Sequence, residues 1–146
     1  MDPKKAQLSF ICSDLSHLSD YAKQLTTATY RLLKEYLPGP YTFILPASKM
    51  VPKILQSKKD TIGLRIPNNK IALAIIHELG RPILSASLPG EMVEDYTDPE
   101  IMYENFMNEV DMVIDGGIGG TEPSTVIECK KNEYEVIRQG AGKWKG

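Results

Sequence analysis

A chain of 146 residues carrying 17 Lys+Arg against 19 Asp+Glu has a net charge of −2 and the size of one compact domain. With 42% hydrophobic and 25% charged residues it can build its own core, so disulfide or metal staples are not required. No apolar run reaches the ~20 residues of a membrane-spanning helix, no secretory signal follows Met1, and near-neutral charge excludes a uniformly basic nucleic-acid binder while allowing a local cationic patch. Cys12 and Cys129 are far apart and outside any CxxC spacing, which reads as two free thiols in a cytoplasmic protein. His17 and His77 share no motif with them, so no zinc or other metal site is expected.

The elements follow in chain order. Residues 8–12 alternate loosely and predict a strand, and Asp14 and Ser16 open a short helix over 17–22. In the next helix Leu25, Thr29, Leu32, Leu33 and Tyr36 recur at three- and four-residue spacing, until Pro38-Gly39-Pro40 stops it. Residues 41–45 are β-branched and aromatic and predict a strand; a helical turn is expected near 52–55, and another strand over 61–66. Asn69 caps a helix whose Ile75, Ile76 and Leu79 share a face, with Gly80 as its stop.

Residues 82–87 read as a short buried strand, 91–98 as a polar acidic loop, and Asp98-Pro99 as the start of a helix carrying Phe106 and Val110. Met112-Val113-Ile114 predicts a strand running into a glycine cluster, and two final strands, 125–129 and 134–138, flank a hairpin turn at 130–133. No repeat, linker or low-complexity tract divides the chain. The expected fold is a single α/β (α+β) domain over 1–146, a mixed β-sheet with flanking helices.

Several residues could carry chemistry. Gly116-Gly117-Ile118-Gly119-Gly120 is either a chain reversal or an anion cradle; it is neither a P-loop nor a dinucleotide fingerprint. Ser85 and Ser87 are hydroxyls where a strand leaves the sheet, available to a ligand or to nearby backbone. Arg65 shares a strand face with Gly63 and Pro67, an open surface where a guanidinium grips a carboxylate or phosphate, or simply faces solvent. Ser124 precedes a strand after the glycine loop, and Arg138 ends the last strand beside Gly140. The acidic run Glu91, Glu94, Asp95, Asp98 is either a cation site or a solvated loop. No Ser-His-Asp or Cys-His arrangement emerges, and the catalytic residues are not assigned.

The order of the motifs resembles the YrdC/YciO family. The resemblance is carried by Leu37-Pro38-Gly39-Pro40-Tyr41-Thr42-Phe43-Ile44-Leu45, Thr61-Ile62-Gly63-Leu64-Arg65-Ile66-Pro67 and Leu79-Gly80-Arg81-Pro82-Ile83-Leu84-Ser85-Ala86-Ser87. It continues through Asp111-Met112-Val113-Ile114-Asp115-Gly116-Gly117, Glu122-Pro123-Ser124-Thr125-Val126-Ile127 and Val136-Ile137-Arg138-Gln139-Gly140. Leu-Ser-Ala-Ser-Leu-Pro-Gly at 84–90 looks most like the YciO branch, where the synthase branch has Thr-Ser-Ala-Asn.

That resemblance implies a twisted mixed sheet around a concave, positively charged surface. Synthase members are nucleotidyltransferases that condense L-threonine, bicarbonate and ATP into threonylcarbamoyl-AMP and pyrophosphate, for the threonylcarbamoyladenosine modification of tRNA. The wider family is also described as binding double-stranded RNA. By position, Ser87 and Arg138 match nucleotide-binding residues, Arg65 and Ser124 match residues on the threonine side of the pocket, and Ser85 matches one beside it. Arg65 and Arg138 are the expected RNA contacts. ATP with Mg²⁺ is then a substrate, with no tightly bound cofactor, and positioning plus charge neutralisation would supply most of the acceleration.

Two departures bear on this. Family members begin with an extra strand, helix and strand bearing a Pro-Thr-Asp-Thr-like motif and a Lys-x-Arg pair; this chain starts after both, with Asp2 where an arginine would sit. The expectation is therefore a YrdC-like fold missing its N-terminal strands, inactive alone as a synthase. Pro89 also replaces the synthase asparagine. The competing expectations are a non-catalytic duplex-RNA or tRNA module, and a fragment that forms a homo-oligomer through an uncovered sheet edge.

Overall fold

The structure is a computed structural model that describes residues 8–88, 92–131 and 133–146. The expectations placed on Met1, Asp2, Pro89, Gly90, Glu91 and the hairpin residue Asn132 lie outside the described residues. The strands are β1 (Ser9–Ile11), β2 (Tyr41–Pro46), β3 (Thr61–Arg65), β4 (Ile83–Ser85), β5 (Thr125–Lys130) and β6 (Glu133–Arg138). The helices are α1 (Leu15–Ser19), α2 (Thr27–Tyr36), α3 (Lys70–Leu79), α4 (Val93–Thr97) and α5 (Pro99–Phe106), with a 3₁₀ turn at Lys53–Leu55.

Most boundaries sit where local chemistry puts them. Asp14 accepts the His17 amide at 2.8 Å, Thr26 that of Thr29 at 3.1 Å and Asn69 that of Ala72 at 3.0 Å, each satisfying an amide that the first turn leaves unpaired. Asp98 caps α5 by accepting the Glu100 amide, and Pro99 occupies its first turn. α3 ends at Gly80 with φ +77°, a left-handed conformation open to glycine at no steric cost.

The chain folds as two compact units, one comprising residues up to Ala86 together with 124–146, the other residues 87–123. The first unit holds a six-stranded mixed sheet of order β4-β1-β3-β2-β5-β6. β1 is parallel to β3 and β2 to β5, while the β1–β4, β2–β3 and β5–β6 pairs are antiparallel. Phe10, Leu64, Phe43, Ile127 and Val136 lie opposite one another across five strands, on the face that joins the main hydrophobic cluster. Leu18 of α1, Leu33 of α2 and Leu73 of α3 pack into that cluster, so the helices bury this face. Tyr36, Tyr41, Phe43 and Trp144 close its end; Trp144 lies 4.9 Å from Tyr36, centroid to centroid. Both cysteines are free and buried, and burial pushes each thiol up to about 12.

The second unit holds α4 and α5. The stretch expected as an acidic loop contains α4 instead: Asp95 accepts the Met92 amide at 3.0 Å and Thr97 donates to the Val93 carbonyl, while Glu94 and Asp95 in the first turn favour the positive end of the helix. Met112-Val113-Ile114 is not a strand. These apolar residues have no ladder partner among the described residues, and Met112 stays 74% exposed; strand propensity without a neighbouring edge does not make a strand. Residues 83–85 form a strand but not a buried one: β4 is the outermost strand, and Leu84 is exposed.

Candidate anion site on the open sheet face

Side chains alternate across a strand, so the residues between the core positions form the second face of the sheet. Ser85, Ser9, Gly63, Ile44 and Glu128 lie opposite one another in one row. The adjacent row contains Ile11 opposite Arg65, and Thr42 opposite Val126, itself opposite Arg138; one step further along the β2–β3 ladder puts Thr42 opposite Arg65. Most side chains here are half-buried, in contrast to the closed core on the other side.

A β-bulge decides where Arg138 points. Tyr134 and Val136 pack on the core, and simple alternation would send Arg138 the same way. Between Val126 and Ile127 the register shifts, so that Val126 faces Arg138 while Ile127 faces Val136; Ile137 is the extra residue, and Arg138 emerges on the open face. The signal was in the sequence: an arginine at a core-phase position of an amphipathic strand calls for an irregularity just before it.

Hydrogen bonds fix the arrangement. Arg138 donates from Nε at 3.1 Å and from Nη2 at 2.9 Å to the Ser124 carbonyl, and Nη2 also reaches Ser124 Oγ at 3.2 Å. Ser124 Oγ lies 2.8 Å from Thr42 Oγ1, joining β2 to the residue before β5. Thr125 Oγ1, fully buried, donates to the Gly142 carbonyl at 2.6 Å and accepts from Gly140 N at 3.0 Å, which anchors the chain just past Arg138. At Gly63 an added Cβ would sit 3.1 Å from Thr42 Cγ2 and 3.3 Å from Ser9 Cβ, so a bare backbone keeps the floor between the two rows low.

Arg65 is the anomaly. Its Nε is buried with no hydrogen-bond partner, and its pKa is lowered first by burial and then by the charge of Arg138. Among the described residues neither guanidinium has a carboxylate in ion-pair contact; Glu128, on the same face, is bound instead by Lys130 at 3.1 Å. Two neighbouring cations with an orphaned donor form a place where an anion is electrostatically favoured.

The residues expected from the sequence thus separate. Arg65, Ser124 and Arg138 come together on the open face, with Thr42 a fourth member that strand propensity had concealed. Ser85 lies in the same unit at β4, its hydroxyl 2.9 Å from Ser9 Oγ and 3.2 Å from the Ser9 carbonyl. Ser87 is an exposed residue of the second unit. In that unit the glycine cluster acts as a turn: Gly117 has φ +92° and donates to Asp115, and Gly119 N donates to the Thr97 carbonyl, so these two amides already have partners.

A model of the Sua5/YciO/YrdC family, described as "Telomere recombination", matches residues 2–140. The chain belongs to the Sua5/YciO/YrdC family. Within it, Escherichia coli YciO is 41% identical over 143 residues, covering 96% of this chain and 68% of that protein. Its crystal structure superposes with a TM-score of 0.89, covering 98% of this chain and 70% of that one. A threonylcarbamoyl-AMP synthase from Pyrococcus abyssi is more distant, 32% identical over 130 residues, which are 88% of this chain and 38% of the synthase. Pyrococcus abyssi Sua5 complexed with L-threonine superposes with a TM-score of 0.83 at 30% identity, over 94% of this chain and 41% of that one. This family domain is therefore related to threonylcarbamoyl-AMP synthases, with higher identity to YciO. No described helix is long and apolar enough to cross a membrane.

Proposed function

We propose that the open sheet face binds the phosphates of a nucleotide, ATP carrying Mg²⁺, through Arg65 and Arg138, with Ser124 and Thr42 orienting Arg138. The observation that carries this reading is the buried, partnerless Nε of Arg65 beside a second guanidinium. An incoming phosphate oxygen would satisfy that donor and neutralise both charges. A Mg²⁺ arriving with the nucleotide would be held through its phosphate oxygens. The relationship to synthases, one of them complexed with L-threonine, supports threonine and bicarbonate as co-substrates. In that reaction a threonine-derived carbamate oxygen attacks the α-phosphorus, and pyrophosphate leaves with the electron pair of the broken P–O bond. The arginines would neutralise charge on the phosphates, the reaction serving tRNA modification in the cytoplasm.

Calorimetric titration with ATP and Mg²⁺ tests this. Arg65→Met and Arg138→Gln are each expected to weaken binding about tenfold or more, the value of a charge-assisted contact. Equal affinity in both variants overturns the reading. The two arginines on an open sheet also support duplex-RNA binding. That alternative is favoured if ATP does not bind, while RNA affinity falls with salt and each arginine substitution flattens the log–log slope by roughly one unit or less.

A further inference from the structure

A cavity of about 250 Å³ lies in the first unit, away from the two arginines. Its floor includes Leu25, Leu45 and Cys129, its wall Thr29, and its rim Lys23 and Lys131. Leu45 and Cys129 belong to the helix-covered face of the sheet, whereas Arg65, Thr42 and Arg138 mark the other. Leu45 and Cys129 also lie three residues further along the parallel strands β2 and β5 than Thr42 and Val126, roughly 10 Å at the rise of a strand. The cavity is thus separated from the nucleotide face both in depth and along the strands.

Its lining is divided. The floor is apolar, while the lysines Lys23 and Lys131 stand at its rim. The ammonium of the neighbouring Lys130 is turned to the other face of the sheet, where Glu128 at 3.1 Å and Glu135 at 3.6 Å bind it. Lys23 and Lys131 are exposed and have no ion-pair partner among the described residues. The first turn of α2 opens on the same side, so its partial positive charge adds to theirs. An apolar floor under two unpaired cations selects a molecule with an apolar body and a concentrated negative head. The volume falls just below the usual range for ligand pockets, about 300–1,000 Å³, and so favours something more compact than a nucleotide.

We propose that this cavity is a second binding site, for a short-chain phosphomonoester. Its phosphate, carrying close to two negative charges at neutral pH, lies between Lys23 and Lys131, and its alkyl part rests on Leu25 and Leu45. A carboxylate would bring half that charge to the same two ammonium groups. The site needs neither Arg65 nor Arg138, so its test is independent of the nucleotide reading.

The probe is n-butyl phosphate, titrated into the full chain and followed by backbone amide NMR shifts. Saturable shifts are expected at Lys23, Leu25, Thr29 and Lys131, and persist in Arg138→Gln. Inorganic phosphate should bind more weakly, by about threefold or more for each methylene buried, and n-butanol should produce no such shifts. The double variant Lys23→Gln, Lys131→Gln changes only exposed side chains; with folding verified by Trp144 fluorescence, its affinity should drop about tenfold. Absence of saturation, shifts confined to Arg65 and Arg138, equal response to butanol, or unchanged affinity in the folded double variant would each overturn the proposal.

Discussion

Arg65 and Arg138 stand on the same face of the sheet with Thr42 between them in register, and the Arg138 charge adds to burial in lowering the Arg65 pKa. Like charges that act on one another oppose folding, and a buried N–H without a partner carries its full desolvation cost. Without its anion, this arrangement is a local weakness.

Arg65→Met should therefore have opposite effects on stability and binding. Methionine keeps most of the side-chain volume but removes the orphaned donor and the repulsion, so the free protein should gain on the order of 1 kcal/mol. For a domain of this size that raises Tm by about 3 °C. ATP should raise Tm in the wild type and lose most of that effect in the variant. A variant less stable than wild type, with ATP response intact, would contradict this account.

Thr125→Val removes a buried hydroxyl that serves two backbone groups, the Gly142 carbonyl and the Gly140 amide. Valine preserves shape and leaves the Gly140 amide unpaired, while the Gly142 carbonyl keeps only the Gln139 side-chain amide at 2.8 Å, at a cost of about 1–3 kcal/mol. Because residues 140–142 lead directly to Trp144, which packs on Tyr36 and Phe43, the single tryptophan should redden in the native state. Denaturant titration read by Trp144 emission measures both effects; an unchanged midpoint and spectrum would exclude the anchor.

The cysteines make stability fall in alkali. Burial raises the Cys12 and Cys129 thiols from 9.0 to about 12 in the fold. Above pH 9 the unfolded chain loses thiol protons that the folded chain retains, so the unfolded state binds fewer protons and stability declines as pH rises. The contribution is complete below pH 9 and is lost towards pH 12, at up to about 1.4 kcal/mol per pH unit for each thiol. Replacing both by Ala should flatten the stability profile in that window. At pH 8 an alkylating reagent should modify neither thiol until the protein unfolds.

Met112, Val113 and Ile114 offer a different test. Despite strand-like composition they join no ladder among the described residues. Their amides should exchange with solvent far faster than those of Phe43 and Leu64 in the sheet centre. Protection equal to the central strands would show that they are paired.

The sequence by itself determined the alternation of elements and most of their ends. Asp14, Thr26, Asn69 and Asp98 cap helices by contacts within three residues, and Gly80 and Pro38 stop them for steric reasons equally local. That Arg65 shares a strand face with Gly63 was legible for the same reason, since a regular strand fixes which residues share a face; that burial would close over its Nε was not. Motif order marked the family across the chain. Three things were decided in the tertiary structure. Strand order put β4 at the edge and exposed Leu84, and left Met112-Val113-Ile114 without a ladder partner among the described residues, because strand formation depends on a neighbour as well as on propensity. The bulge at Ile137 brought Arg138 to the face of Arg65, against the two-residue period of its own strand. The Thr42–Ser124 hydrogen bond joins residues 82 apart, a contact created by the pairing of β2 with β5 and visible in neither segment alone.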